Sequence, residues 1–372
     1  MSVQITRSPD QPITGSRLRV LYIAYPLLTV TDASAGGAEQ VLWTLEREMA
    51  RRGIETTVAA SAGSRVSGEL FNTGEPCTRS DDFDRRNREH QERTIEFVEQ
   101  RRREGRAFDL IHDMSGSFWP RAAEVQAPVL ATLHLPRHFY PAASFEDVPA
   151  NVSFNCVSES QARTFSDLQR IIKAVPNGIA LDRFRPNYGE RQGLMWVGRI
   201  CEEKGPHLAL DIAARSGLPI TLVGQVYPFS YHQQFFAREI EPRLRQNARA
   251  KWIDAPSRDV IVQLLRTASA LLITSLVNET SSLVAMEAAA SGTPVVAFGH
   301  GALSEVVKDG VTGFIAANMD DANEKLNHLD SISSAECVRH AQSSFSGSVM
   351  ADGYERLYAA LVERSEELLK VG

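Results

Sequence analysis

Short continuous apolar runs alternate along this chain with longer segments whose apolar positions recur at helical spacing. The first run, LRVLYIA (Leu18 to Ala24), is apolar on both sides of a pleat and carries β-branched residues, which predicts a parallel strand buried on both faces. A glycine-containing loop follows, then AEQVLWTLEREMARRG, a helical pattern that stops at Gly53 just past a basic last turn. ETTVAAS, FDLIHDM, PVLATLH and VSFNCVS read as further strands. The pattern restarts after PNGIALDRFRPNYGERQG: GLMWVGR is a strand, HLALDIAARSG its helix, and PITLVGQ, ARAKWID, ALLITS and PVVAFG are later strands. The last periodic segment, SVMADGYERLYAALVERSEELLK, is an amphipathic helix. Strand, helix, strand alternation run twice implies an α/β protein with two doubly wound parallel sheets, each Rossmann-like. The turn-forming, polar stretch from Pro186 to Gly193 marks the division, giving domains at 17–186 and 187–345. Residues 1–16 read as a disordered leader.

A chain of 372 residues is long enough for two domains, and its 43% apolar content is ordinary for a globular protein. No apolar run reaches the roughly 20 residues that span a bilayer. The N-terminus lacks the apolar core of a signal peptide, so the cytoplasm is the expected location. The four cysteines are scattered without a C-x-x-C pair, which suggests reduced thiols and no zinc knuckle. A net charge of -6 argues against general nucleic-acid binding and against strong membrane attraction. Between Arg79 and Arg106, nine arginines are interleaved with eight acids, the pattern of a solvated helix laced with ion pairs; an acceptor- or membrane-facing surface is the rival reading. Oligomeric state has no sequence signal.

Candidate chemistry gathers where loops follow strands, beyond whose carboxyl ends open α/β sheets bind ligands. Glu279 follows ALLITS. Ser281 and Ser282 suit a helix start, Leu283 follows, Glu287 lies about two turns in, and Gly292 ends the helix. At ~1.5 Å per residue the two carboxylates stand on the order of 10 Å apart. Such a separation suits two grips on one elongated ligand: carboxylates accept strongly from diols, and a helix N-terminus between them offers amides to a diphosphate. Either glutamate alone reads better as an ordinary helix or loop acid. The small and apolar neighbours of Glu287 favour a carboxylate with a partner or a ligand. WVGRICEEKG places Arg199 and Lys204 after a strand; surface ion pairs with Glu202 and Glu203 are the plainer reading. Gly36 and Gly37 open a helix after the first strand, but not as G-x-G-x-x-G, which counts against a dinucleotide enzyme. His134 ends a strand, with His138 close behind, and His112 and Asp113 end another.

These segments resemble the retaining glycosyltransferases of family 4, also called glycosyl transferases group 1, whose fold is GT-B. Glu279 and Glu287 match the family's Glu-x7-Glu, followed by ASGTPVVA, and Arg199 and Lys204 match its V-G-R-x-x-x-x-K-G. VSES, VPNGI and GALSEVVKDGVTGFI are further landmarks, and the resemblance runs from about Arg17 to about Leu361. Ser281 and Ser282 stand where the family usually has Phe-Gly, and the stretch from roughly Gly63 to Arg106 matches no pattern.

The resemblance implies two facing domains with a deep cleft, an N-terminal acceptor side, a C-terminal nucleotide-sugar side, and a final segment, 346–372, that packs back on the first domain. It implies donor contacts from Gly36, Gly37, Arg199, Lys204, Glu279, Ser281, Ser282, Leu283 and Glu287, with Glu287 on the ribose and Glu279 on the transferred sugar. His134, Arg199, Lys204 and Glu279 are the expected catalytic group. Asp113 is expected to orient a cleft residue or to meet the acceptor, and His138 is a further expected acceptor contact. Gly301 could bring backbone near the sugar, and Glu305 reads as structural. The expected reaction moves a hexose from a UDP-, GDP- or ADP-sugar to a hydroxyl acceptor, a small metabolite or a glycan or lipid precursor, with retention. No cofactor is expected, and no metal. The competing readings are an epimerase or phosphorylase on the same architecture, and a non-catalytic nucleotide-sugar binder.

Overall fold

The computed structural model describes residues 17–77 and 82–371. Among them, one parallel sheet is built from β1 (Arg19–Ile23), β2 (Glu55–Ala60), β3 (Glu69–Asn72), β4 (Leu110–Asp113), β5 (Val129–Leu133), β6 (Val152–Cys156) and β7 (Ile171–Ala174), ordered β3-β2-β1-β4-β5-β6-β7. A second parallel sheet holds β8 (Leu194–Val197), β9 (Ile220–Val223), β10 (Ala250–Ile253), β11 (Ala270–Ile273), β12 (Val295–Phe298) and β13 (Gly313–Ala316), ordered β10-β9-β8-β11-β12-β13. Both orders reverse next to the domain's first strand, as in doubly wound dinucleotide folds. The switch points therefore fall between β1 and β4 in the first half and between β8 and β11 in the second. The predicted leader, and Arg79 to Asp81 of the charged stretch, lie outside the described residues.

The central strands were legible because they are apolar on both faces; β4, β5 and β6 are buried at every position. The sequence reading missed β3, β7 and β13. The first two are edge strands with exposed or half-buried side chains (Glu69 to Asn72, Ile171 to Lys173), so no continuous apolar run marks them.

The first half carries α1 (Gly37–Arg51), α2 (Phe83–Arg103) and α3 (Glu159–Thr164). The second carries α4 (Pro206–Ser216), α5 (Ser230–Phe235), α6 (Glu241–Gln246), α7 (Arg258–Thr267), α8 (Leu283–Ala290), α9 (Leu303–Val306), α10 (Met319–Leu326) and α11 (Ser334–Ser344). The charged stretch is indeed a helix with surface ion pairs, such as Arg85–Glu89 at 2.8 Å. It is not solvated all round, because Arg86, His90, Thr94, Phe97 and Val98 face inward.

α12 (Gly347–Val371) crosses back to the first half, as the resemblance implies. Met350, Ala351, Tyr354, Leu357, Tyr358 and Leu361 join the core formed by β1, β2 and α1. Its hydroxyls reach further: Tyr354 meets Thr132 and Asn155 at 3.2 Å, and Tyr358 meets His112 at 2.7 Å. A buried helix with satisfied polar tips ties the chain's end to the sheet it left at Ala174.

Candidate functional site

The second half's switch point is lined by the loops after β8 and β11. The loop after β8 turns tightly at Gly205, where φ is +65° and an added Cβ would lie 2.0 Å from the Thr274 carbonyl oxygen, so only glycine fits. That turn sets Lys204 against the loop after β11, and its Nζ donates to both Glu279 oxygens at 2.6 and 2.8 Å. The plainer expectation, Lys204 paired with Glu202 or Glu203, does not hold. Glu279 is itself pinned by its backbone: it bridges to Gly301, and Ala302 N donates to the Glu279 carbonyl at 2.8 Å. Gly301, also at φ +65°, lies so close that a Cβ would come within 2.3 Å of that oxygen. Its closeness serves Glu279. Arg199 is exposed on the same loop as Lys204.

Ser282 is the N-cap of α8, but its side chain makes no cap hydrogen bond and the first turn holds no acid. The leading amides and the positive end of the dipole are therefore left open to an anion. The helix starts at Leu283, later than the sequence suggests, so Glu287 is its fifth residue, a little over one turn in. Glu287 is 2% exposed and forms an ion pair with Arg258, the first residue of α7. Nothing in the sequence reading singled out Arg258, since an arginine opening an amphipathic helix looks like a surface residue. The carboxylate accepts from one side of the pair and keeps lone pairs for a second donor.

The first half's switch point faces this helix. Gly36 is the N-cap of α1, again with no side-chain cap bond, and a Cβ on Gly37 would rest 3.4 Å from Leu283 Cδ1. Leu283 packs into the cores of both halves. A narrow pocket at this seam is lined by Gln40, Trp43 and Thr44 of α1 and by Arg258, Leu283 and Glu287. The start of α1, whose first turn carries the buried Glu39, thus meets the open start of α8, with Lys204–Glu279 on one flank and Arg258–Glu287 on the other.

Two contacts latch the halves together. Thr280 Oγ1 donates to the His134 carbonyl at 2.8 Å. The Glu305 carboxylate accepts from the backbone N–H groups of Glu159 and Ser160, at 2.9 and 2.6 Å, at the start of α3. Glu305 is structural, as expected, but what it holds is the domain interface. The His134 ring Nε2 is buried with no hydrogen-bond partner among the described residues, and burial pushes its pKa down to about 4. It is therefore a neutral imidazole at the cleft's edge.

The acceptor assignment of Asp113 is corrected by the structure. Its carboxylate is wholly buried and accepts from the N–H groups of Ser115, Gly116, Phe118 and Trp119 and from Ser115 Oγ, at 2.6 to 3.0 Å. Those five donors occupy it in shaping the loop after β4, while burial raises its pKa above the ordinary value. His112 is likewise internal, held between Tyr358 and Thr132 at 2.7 Å on each side, with burial keeping it neutral. His138 stands exposed beside Phe139. Ser281 Oγ is buried without a partner among the described residues.

Two doubly wound domains with converging helix starts at their switch points define a protein of GT-B architecture. A profile described as Glycosyl transferases group 1 matches residues 181–344, and one described as Glycosyltransferase Family 4 matches residues 35–183. The chain belongs to glycosyltransferase family 4. Among curated relatives, the D-inositol 3-phosphate glycosyltransferase of Mycolicibacterium paratuberculosis is 32% identical over 40% of this chain and 36% of its own length. That of Streptomyces scabiei is 27% identical over 58% of each. The match thus spans well under two thirds of those relatives. Similar solved structures include AviGT4, a glycosyltransferase involved in avilamycin A biosynthesis, with a TM-score of 0.72 and 20% identity over 93% of this chain and 98% of its own. Anabaena HepE, solved with UDP and glucose, has a TM-score of 0.71 and 15% identity over 92% of this chain and 100% of its own. No described helix is long and apolar enough to cross a membrane.

Proposed function

We propose that this protein transfers a hexose from a nucleoside diphosphate sugar to a hydroxyl acceptor, with retention at the anomeric carbon and without a metal in the reaction. The observation that carries the reading is the uncapped start of α8, facing Gly36 and Gly37 and flanked by the Lys204–Glu279 and Arg258–Glu287 pairs. The diphosphate lies against the α8 amides. Glu287 accepts from the ribose diol on one side, and Glu279, which takes only two hydrogen bonds from Lys204, accepts from the sugar hydroxyls on the other.

As the glycosidic bond breaks, the leaving diphosphate gains negative charge. Arg199, Lys204 and the α8 dipole stabilise that charge more in the transition state than in the bound donor, which is what accelerates transfer. Neutral His134 donates to a sugar hydroxyl near the reacting carbon. The acceptor enters from the first domain, where His138 is the exposed contact. The curated relatives are named for an inositol phosphate, so a small polyhydroxy acceptor is the first to try. The work is done in the cytoplasm, where sugar nucleotides are made.

Incubation with UDP-, GDP- and ADP-sugars, with and without acceptors, followed by measurement of nucleotide release, tests this. Acceptor-dependent release is expected from one donor. Release that ignores the acceptor would indicate epimerase-type chemistry, and binding without release would indicate a non-catalytic binder.

A further inference from the structure

Strands β8 and β9 are adjacent and parallel, so the loops that follow them run side by side, joined by Ile200 N donating to Gln225 O at 3.1 Å. The first loop carries Cys201 and Glu203. The second leads into α5, which carries His232. One ligand atom from each of these three side chains lies within 4.8 Å of the other two. Cys201 is fully buried and His232 is 1% exposed, yet both ring nitrogens of His232 are buried with no hydrogen-bond partner among the described residues. An imidazole that is buried and unpartnered on both sides costs stability unless something occupies it. The rings of Tyr227, Phe229 and Tyr231 pack around it, at 6.0, 5.6 and 4.1 Å between centroids, and none of them hydrogen-bonds to it.

We propose that Cys201, Glu203 and His232 bind one thiophilic divalent ion of the zinc class. Thiolate, imidazole and carboxylate are the ligand types Zn2+ prefers, and three protein ligands leave its fourth tetrahedral position to water. Closing the three atoms around the ion needs only a small inward shift of side chains already in mutual reach. The ion would join α5 to the loop that carries Arg199 and Lys204 without taking part in transfer, and the assignment does not depend on the donor reading.

Titrating the purified, metal-free full chain with Co2+ and then Zn2+ tests it. One equivalent of Co2+ should bind with a thiolate-to-cobalt charge-transfer band and intense visible bands of four-coordinate cobalt, and Zn2+ should displace it. Cys201→Ser should lose the charge-transfer band. His232→Asn and Glu203→Gln should weaken Zn2+ binding at least about tenfold, since even the loss of an outer-shell partner costs that much. Zn2+ should raise the unfolding temperature of the parent protein but not of Cys201→Ser. Absence of the charge-transfer band in the parent protein would overturn the assignment, whether or not the variants fold. A band that survives Cys201→Ser would also overturn it, because another thiol would then be the ligand.

Discussion

Replacing Glu287 by alanine should damage the protein in two separable ways. The Arg258 and Glu287 side chains are only 15% and 3% exposed, so removing the carboxylate leaves a buried guanidinium without its counter-charge. Breaking such a pair costs roughly 3–5 kcal/mol. At about 2–4 °C per kcal/mol for a domain of 150–250 residues, the unfolding temperature should fall by at least about 6 °C. Independently, loss of a charged acceptor for the ribose diol should weaken donor nucleotide binding by about 1.5–3 kcal/mol, or roughly ten- to 150-fold in Kd. The double variant Glu287→Leu, Arg258→Met separates the effects. It removes both charges, so stability should return to near the parent value while nucleotide affinity stays low. Differential scanning calorimetry and isothermal titration with the preferred nucleoside diphosphate read the two quantities. Parent-level affinity in either variant would make the pair purely structural and defeat the ribose assignment. An unchanged unfolding temperature in the single variant would contradict the buried ion pair itself.

Lys204→Ala should lower kcat much more than it raises the donor KM, because the ammonium meets charge that develops as the diphosphate leaves; equal effects on both in steady-state assays would refute a leaving-group role. Glu305→Gln should raise the donor KM and loosen domain closure, seen as a larger radius by small-angle scattering with the nucleotide bound, since its carboxylate grips two α3 amides. Tyr358→Phe should cost about 1–3 kcal/mol in urea unfolding, because it strips the partner from buried His112 Nδ1. His90 and His134 are both held near pKa 4 by burial. Between pH 6.5 and about 4 the unfolded chain binds protons there that the folded one does not, so stability should fall as pH is lowered through that window. His90→Gln should flatten the slope.

Most of the architecture was legible because interior parallel strands are apolar on both faces, as LRVLYIA and PVVAFG show directly. The edge strands were not, since Glu69 to Asn72 and Ile171 to Ala174 carry only partial burial. At the site, the motif residues fell where strand-end loops meet, but their partners did not follow from sequence. Lys204 pairs with Glu279 across 75 positions and Arg258 with Glu287 across 29, distances at which local pattern carries no information. Asp113 was misread because a strand-end aspartate looks the same in sequence whether it faces a cleft or folds its own loop. Only the count of amides around it decides. Likewise Cys201, Glu203 and His232 show no ligand spacing in sequence, because the adjacency of β8 and β9 is what gathers them.

The central claim is that a diphosphate lies between the start of α8 and the Arg199 and Lys204 side chains. A crystal structure of the protein with the nucleoside diphosphate selected by the donor screen tests it most directly. The account expects phosphate oxygens within hydrogen-bond distance of the α8 amides and of both cations, with the ribose hydroxyls on Glu287. A nucleotide bound away from the seam between the two sheets, or one whose phosphates contact neither cation, would contradict it.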